Sequence, residues 1–367
     1  MSHIFLDSKK EEYIPNHYQW KPEKGIYDLK PYEVKFPVDE IKQRQPTMWR
    51  YKEALPFDKS QDLLSFSLGE GMTPLLPLDK NEQNILVKMD YLMPTGSFKD
   101  RGASVLVAKA KELGVTTVIA DSSGNAGTSI AAYCARANIR CHIYVPDSTV
   151  PKKLAQIEAY GAELHRIPGT REETAEAAQR DVEEKGIFYA SHVYNPFFYE
   201  GTKTFAFEIW EQLNYKVPDK VIVPVGNGTL LLGAYIGFKN LKNAGVIRHF
   251  PKIVGVQSEG CQPIAKAFRE NKNTSIVENT GTEAEGIAIA DPVRGDQVLQ
   301  AIKETNGAII TAPEKDIKSA KKELALKGFF VEPTTAATYA AFKEYKNSIL
   351  NPDEVVVMSL CGSGLKK

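Results

Sequence analysis

The sequence is short of cysteine, of long apolar runs and of any excess of one charge sign, and each shortage removes a class of protein. Its four cysteines, Cys134, Cys141, Cys261 and Cys361, stand far apart in 367 residues and have no metal-ligand spacing. Neither a disulfide scaffold nor a metal site is therefore expected, and the thiols read as those of a reduced cytoplasmic protein. Lysine plus arginine number 46 and aspartate plus glutamate 46, so no basic surplus points to nucleic acid or to an acidic membrane surface. No run of about 18 apolar residues occurs, and the charged segment 1–13 lacks the apolar centre of a signal peptide. Internal repeats and low-complexity tracts are also missing. What is present is 43% apolar composition, enough core for two domains or for one large domain with a subdomain.

Residues 1–60 are rich in Pro, Tyr and charge and are read as an extension lying on the body, with its aromatics as anchors. From Gly102 onward, short apolar runs alternate with amphipathic stretches. Strands are expected at 117–120, 141–145, 163–167, 188–190, 221–225, 253–257, 308–311 and 355–360, and near Leu75-Leu76. Helices are expected at 126–137, 150–160, 170–185, 201–213, 314–326 and 334–345. This βαβα rhythm with short connections implies an α/β protein of two joined lobes with mostly parallel sheets covered by helices.

Chemistry concentrates in four loops. The stretch Pro94-Thr95-Gly96-Ser97-Phe98-Lys99-Asp100-Arg101-Gly102 puts Lys99 at the mouth of a helix that stops near Gly114. The positive end of the helix dipole disfavours a cation there, and with partial burial it favours the neutral amine that a Schiff base requires. A solvated lysine in a first helical turn is the plainer alternative. Ser122-Ser123-Gly124-Asn125, followed by Ala126, lies between a strand and a helix; it suits a substrate carboxylate, or simply a helix cap. Gly226-Asn227-Gly228-Thr229-Leu230 also joins strand to helix and makes an anion cradle of phosphate size. It lacks the Walker lysine and the dinucleotide glycine spacing. Cys361-Gly362-Ser363-Gly364 follows the last strand and is expected to fold back into the site.

A lysine, a phosphate cradle and a Ser/Asn loop together would satisfy pyridoxal 5'-phosphate (PLP). The sequence resembles fold-type II PLP enzymes, and within them the threonine synthase group. The residues that carry the likeness are Gly69 to Leu75, Pro94 to Gly102, Ser122 to Asn125, Lys153-Leu154-Ala155-Gln156 with Tyr160-Gly161-Ala162, Asn195-Pro196 with Glu200 to Thr204, Pro224 to Gly228, Val331-Glu332-Pro333 and Cys361 to Lys366. The resemblance implies that Lys99 holds the cofactor's aldehyde and acts as general base. It implies the phosphate on Gly226, Asn227, Gly228, Thr229 and Leu230, the ring hydroxyl on Asn125, and the pyridine nitrogen on Cys361 or Ser363. It further implies a large PLP domain of residues 61–102 and 196–367, a smaller mobile domain of 103–195, a homodimer and an amino-acid substrate. Four positions depart from the group's pattern: Ala126 and Val193 replace hydroxyl side chains, Phe198 stands where an arginine is usual, and Cys361 stands where threonine is common. Losing a guanidinium partner for a substrate phosphate removes hydrogen bonds of about 1.5–3 kcal/mol each. A less anionic substrate, or a cation drawn from elsewhere such as Arg101, Lys152, Lys153 or Lys203, is the expectation those departures raise.

Overall fold

Strands and helices form where the apolar spacing asks for them, and most bounds agree within two residues with those read from sequence. A computed structural model describes residues 4–14, 19–57 and 63–366. In chain order, β1 (Phe5–Leu6), β2 (Glu12–Tyr13) and β3 (Asp28–Leu29) make a small antiparallel sheet, followed by α1 (Val38–Gln43). A hairpin of β4 (Leu75–Asp79) and β5 (Glu82–Lys88) leads to α2 (Lys99–Glu112), β6 (Thr117–Ala120), α3 (Asn125–Ala137) and β7 (Arg140–Pro146). Then come α4 (Pro151–Ala159), β8 (Glu163–Ile167), α5 (Arg171–Lys185), β9 (Phe188–Tyr189) and α6 (Pro196–Thr202). The remainder is α7 (Thr204–Gln212), β10 (Lys220–Pro224), α8 (Thr229–Asn243), β11 (Lys252–Ser258), α9 (Pro263–Glu270), α10 (Gly295–Glu304), β12 (Ala308–Ala312), α11 (Glu314–Leu326), α12 (Pro333–Ile349) and β13 (Val356–Ser359).

These elements divide into two units, Met1–Glu70 with Lys99–Thr202 and Gly71–Phe98 with Lys203–Lys367. The first holds a four-stranded parallel sheet in the order β8-β7-β6-β9. Ile119 and Tyr144 of that sheet pack with Ala178 and Val182 of α5. Aromatics of the N-terminal segment anchor to the same unit: Phe5 lies 5.3 Å from Phe197, and Trp20 stands edge-on to Tyr189 at 5.0 Å.

The second unit holds a six-stranded sheet in the order β12-β11-β10-β13-β5-β4. All its pairings are parallel except β4 with β5, where the register slips between Pro77 and Asp79. Val87, Ile222, Val254, Val356 and Met358 pack under Ala336, Ala337 and Ala340 of α12. Each large apolar side chain buried this way contributes about 1.5–3 kcal/mol.

The expected helix 201–213 is in fact two. The helix begins at Pro196, where proline suits a first turn, with the Asn195 side chain accepting from the Phe197 N–H at 3.1 Å. It breaks at Lys203, which caps α7. Helices α1, α9 and α10, and the short strands β1, β2 and β3, have no counterpart among the elements expected from sequence.

Candidate active site

Lys99 is the first residue of α2. Within the second unit, the turn that ends at Phe98 is held by the segment after β13. The Phe98 N–H donates to the Cys361 carbonyl at 2.9 Å, the Ser363 N–H donates to the Gly96 carbonyl at 2.9 Å, and Ser97 bridges Gly362. The glycine-rich terminal segment therefore does fold back, onto the residues that immediately precede Lys99. The Ser97 hydroxyl is buried and has no hydrogen-bond partner among the described residues.

Within the first unit, α2 lies close against α6 because each presents a glycine. A Cβ on Gly102 would fall 2.3 Å from the Phe198 ring, and one on Gly201 would fall 1.8 Å from the Arg101 carbonyl oxygen. The fully buried Phe198 ring sits 5.7 Å from Lys99 Nζ, with His192 edge-on to it at 6.0 Å. Burial, reinforced by the positive charges of Lys99 and Arg171, holds the His192 imidazole well below its ordinary pKa. Arg171 opens α5, is exposed, and also acts on Asp121. Burial raises the Asp121 carboxyl, which accepts from the Tyr189 hydroxyl at 2.8 Å. Buried Asp100, next to Lys99, accepts from Ser129 at 2.5 Å.

The loop Ser122-Ser123-Gly124-Asn125 connects β6 to α3. The cap is Gly124, with no side-chain cap hydrogen bond among the described residues. Ser122 Oγ instead accepts from the Gly124 N–H at 3.3 Å, and the Ser122 carbonyl runs so close to Gly127 that a Cβ there would lie 1.8 Å away. The loop keeps its N–H groups at the positive end of a helix. Ala126 is buried behind it and Val193 is buried as well.

In the second unit, 226–230 runs from β10 into α8. Gly228 caps the helix at φ +83 with no side-chain cap, and a Cβ there would also strike Val298 at 2.4 Å. A Cβ on Gly226 would lie 3.0 Å from the Gly286 carbonyl. Thr229 and Leu230 are buried. Bare backbone at the start of a 15-residue helix fits a phosphate-sized anion.

Cys361 in the same unit is 1% exposed. Thr335 Oγ1 accepts the N–H groups of Cys361 and Gly362 at 3.1 and 3.3 Å, which directs its own proton to Cys361 Sγ at 3.0 Å. The thiol donates to Glu332 Oε1 at 3.5 Å. Burial and the Glu332 charge push its pKa well up, so it is a neutral thiol.

The sequence singled out Lys99, Phe198, Ala126 and both helix-mouth loops. It missed His192, Arg171 and Asp121, and it missed Thr335 and Glu332 as partners of Cys361. The available signals were the Val331-Glu332-Pro333 block, for Glu332, and Ser191-His192, a dipeptide with no spacing rule.

Residues 66–362 match the family model described as "Pyridoxal-phosphate dependent enzyme". Threonine synthase of Methanocaldococcus jannaschii is 38% identical over 350 residues, covering 93% of this chain and 86% of that protein. Threonine synthase of Halalkalibacterium halodurans is 36% identical over 335 residues, covering 87% and 90%. Among solved structures, serine racemase of Dictyostelium discoideum superposes with a TM-score of 0.66 at 25% identity, covering 80% of this chain and 92% of that one. A threonine deaminase isoform of Solanum lycopersicum reaches a TM-score of 0.72 at 23% identity, covering 90% and 92%, and speaks for the fold alone.

Proposed function

The chain belongs to the pyridoxal-phosphate-dependent enzymes and is a lyase of that family, and from this premise we propose that it is a threonine synthase, converting O-phosphohomoserine and water to threonine and phosphate. The observation that carries the reading is its likeness to threonine synthases at 31–38% identity across 86–93% of the chain.

The residues present fit the cofactor. The cradle at 226–230 is bare where a side chain would collide, and Cys361 is a neutral thiol suited to a neutral ring nitrogen. Lys99 Nζ would hold the aldehyde, 226–230 the phosphate, Asn125 the ring hydroxyl and Cys361 the ring nitrogen. When bound, PLP supplies an aldehyde for the substrate amine and a ring that withdraws electrons from the substrate's α-carbon. Lys99 Nζ would accept the substrate's α-proton as general base. The N–H groups and hydroxyls of Ser122 to Asn125 bind the substrate carboxylate.

The guanidinium absent at Phe198 is supplied, in this reading, by Arg171. It is exposed at the start of α5, and its charge reaches His192 together with that of Lys99. Two further features of this reading are a cytoplasmic location and a homodimer, the latter tested by light scattering, where a monomer would refute it.

A second reading is a threonine or serine ammonia-lyase type of elimination on a less anionic amino acid. It is favoured by the buried Phe198 beside Lys99. A single experiment separates the two. Purified holoenzyme is given O-phosphohomoserine, and free phosphate and threonine are assayed, with threonine and serine as competing substrates assayed for keto acid. Phosphate release is expected from wild type. Lys99→Ala should release none and lose the visible absorption band while keeping its circular dichroism. Arg171→Met should raise KM about tenfold or more, as one charge-assisted hydrogen bond is lost. Keto acid from threonine or serine without phosphate release would overturn the synthase reading, and an unchanged KM would remove Arg171 from it.

A further inference from the structure

Away from the candidate active site, strands β7 and β8 bring together three side chains that neither the lyase chemistry nor the cofactor uses. The parallel register pairs His142 with Glu163 and Tyr144 with His165. Period-two alternation therefore places all four on one face of the sheet. His142 Nδ1 and His165 Nε2 lie 2.9 Å apart. Glu163 presents one carboxylate oxygen to each ring, at 3.5 Å from His142 and 3.4 Å from His165. All three donor atoms fall within 4.8 Å of one another. Nitrogen and oxygen ligands held about 2.0–2.2 Å from a tetrahedral ion stand about 3.3 Å apart, so the triangle has the size of one face of such a coordination shell.

From this arrangement we propose that His142, Glu163 and His165 form a binding site for one divalent transition-metal ion of the zinc class. Two imidazoles and one carboxylate select zinc, cobalt or nickel over magnesium and calcium, which require an all-oxygen shell. The site is also supported from behind. Tyr144 stacks on the His165 ring at 4.5 Å and 10°, and its hydroxyl is fixed by Asp181 of α5, which Lys185 pairs in turn. Held in this way, the ring keeps one orientation, as outer partners do around known ligands. The Glu163 side chain is 62% exposed, so the fourth coordination position faces solvent and water completes it. Strand β8 is the edge of its sheet, and the ion would tie that edge to β7. The role is structural, a clamp at a sheet margin. The triad has no local sequence signature, since one ligand lies a full helix upstream of the other two.

The test uses holoenzyme freed of metal by chelation and then titrated with zinc chloride by isothermal calorimetry, with cobalt chloride as a spectroscopic probe. Expected are one equivalent bound per chain, visible cobalt bands at wavelengths above the cofactor's absorption, and a raised unfolding temperature with zinc but not with magnesium. His165→Gln and Glu163→Gln should each weaken zinc binding at least tenfold and abolish the rise in unfolding temperature, while turnover in chelator is unchanged. His142→Ala serves as a third variant, so that one misfolded protein does not decide the matter. Absence of stoichiometric binding to wild type, or binding that survives in folded His165→Gln and Glu163→Gln, overturns the proposal.

Discussion

His192 combines burial with a place beside Lys99, and that has a measurable cost at low pH. Its folded-state pKa lies below the unfolded value of about 6.5, so as pH falls the unfolded chain takes up the proton first. Stability is therefore full above about pH 6.5 and declines below it. A histidine that stays neutral in the fold contributes a loss on the order of 1 kcal/mol by about pH 5.5. His192→Gln should remove that part of the slope, read as a smaller drop in urea midpoint between about pH 7.5 and 5.5; an unchanged drop would refute it. The slope will not vanish, because burial also lowers the His142 imidazole and contributes with the same sign. At this scale the sequence announced Lys99 and the glycines, since a glycine beside a turn already implies close approach. It could not announce His192, Arg171 or Asp121, whose significance lies in burial and in charges arriving from other elements.

At the scale of elements, helix mouths do most of the positioning, and the backbone at those mouths is what sequence reports best. The bounds of β6, β8 and α11 agree with the periodicity residue for residue, because each is bordered by clear turn or cap residues. The break between α6 and α7 was not legible, since Lys203 is an ordinary helix former and keeps helical backbone angles there. Helices α9 and α10 were missed because glycine and polar residues around them mask a short apolar stripe. The cradle before α8 gives the sharpest test of element-level design. Gly228→Ala places a Cβ in a left-handed conformation and against Val298, which costs about 1–3 kcal/mol. Cofactor affinity should fall on the order of tenfold as the loop shifts. Normal affinity, measured by reconstitution of the visible absorption, would remove the loop from the cofactor's contacts.

At the scale of the whole molecule, the second unit contains an ion pair that it buries completely. Lys88 Nζ lies 2.6 Å from Glu208 and from the Thr73 carbonyl and 2.9 Å from Gln212, and neither charged side chain of the ion pair is exposed. Its partners come from segments up to 124 positions away in the chain, so it reports on assembled tertiary structure. Removing one member strands the other in a dry interior, and Lys88→Met should destabilise by about 3–5 kcal/mol. The double change Lys88→Met with Glu208→Leu should recover much of that loss, since a packed apolar pair needs no hydration. Denaturant unfolding of the two variants decides it, and equal losses would contradict the account. The fold class was legible because alternating segments admit few topologies; this pairing was not, because no local pattern marks a lysine that faces inward.

The hairpin strand β4 has one further effect, on how copies of the protein meet in solution. A parallel sheet ending on a straight strand would offer its last row of amides and carbonyls to any neighbour. Here the margin runs the opposite way, is interrupted by an imino acid at Pro77 and slips its pairing before Asp79. A second molecule finds no continuous ladder to extend there, so that margin resists growth into ribbons even when the protein is crowded.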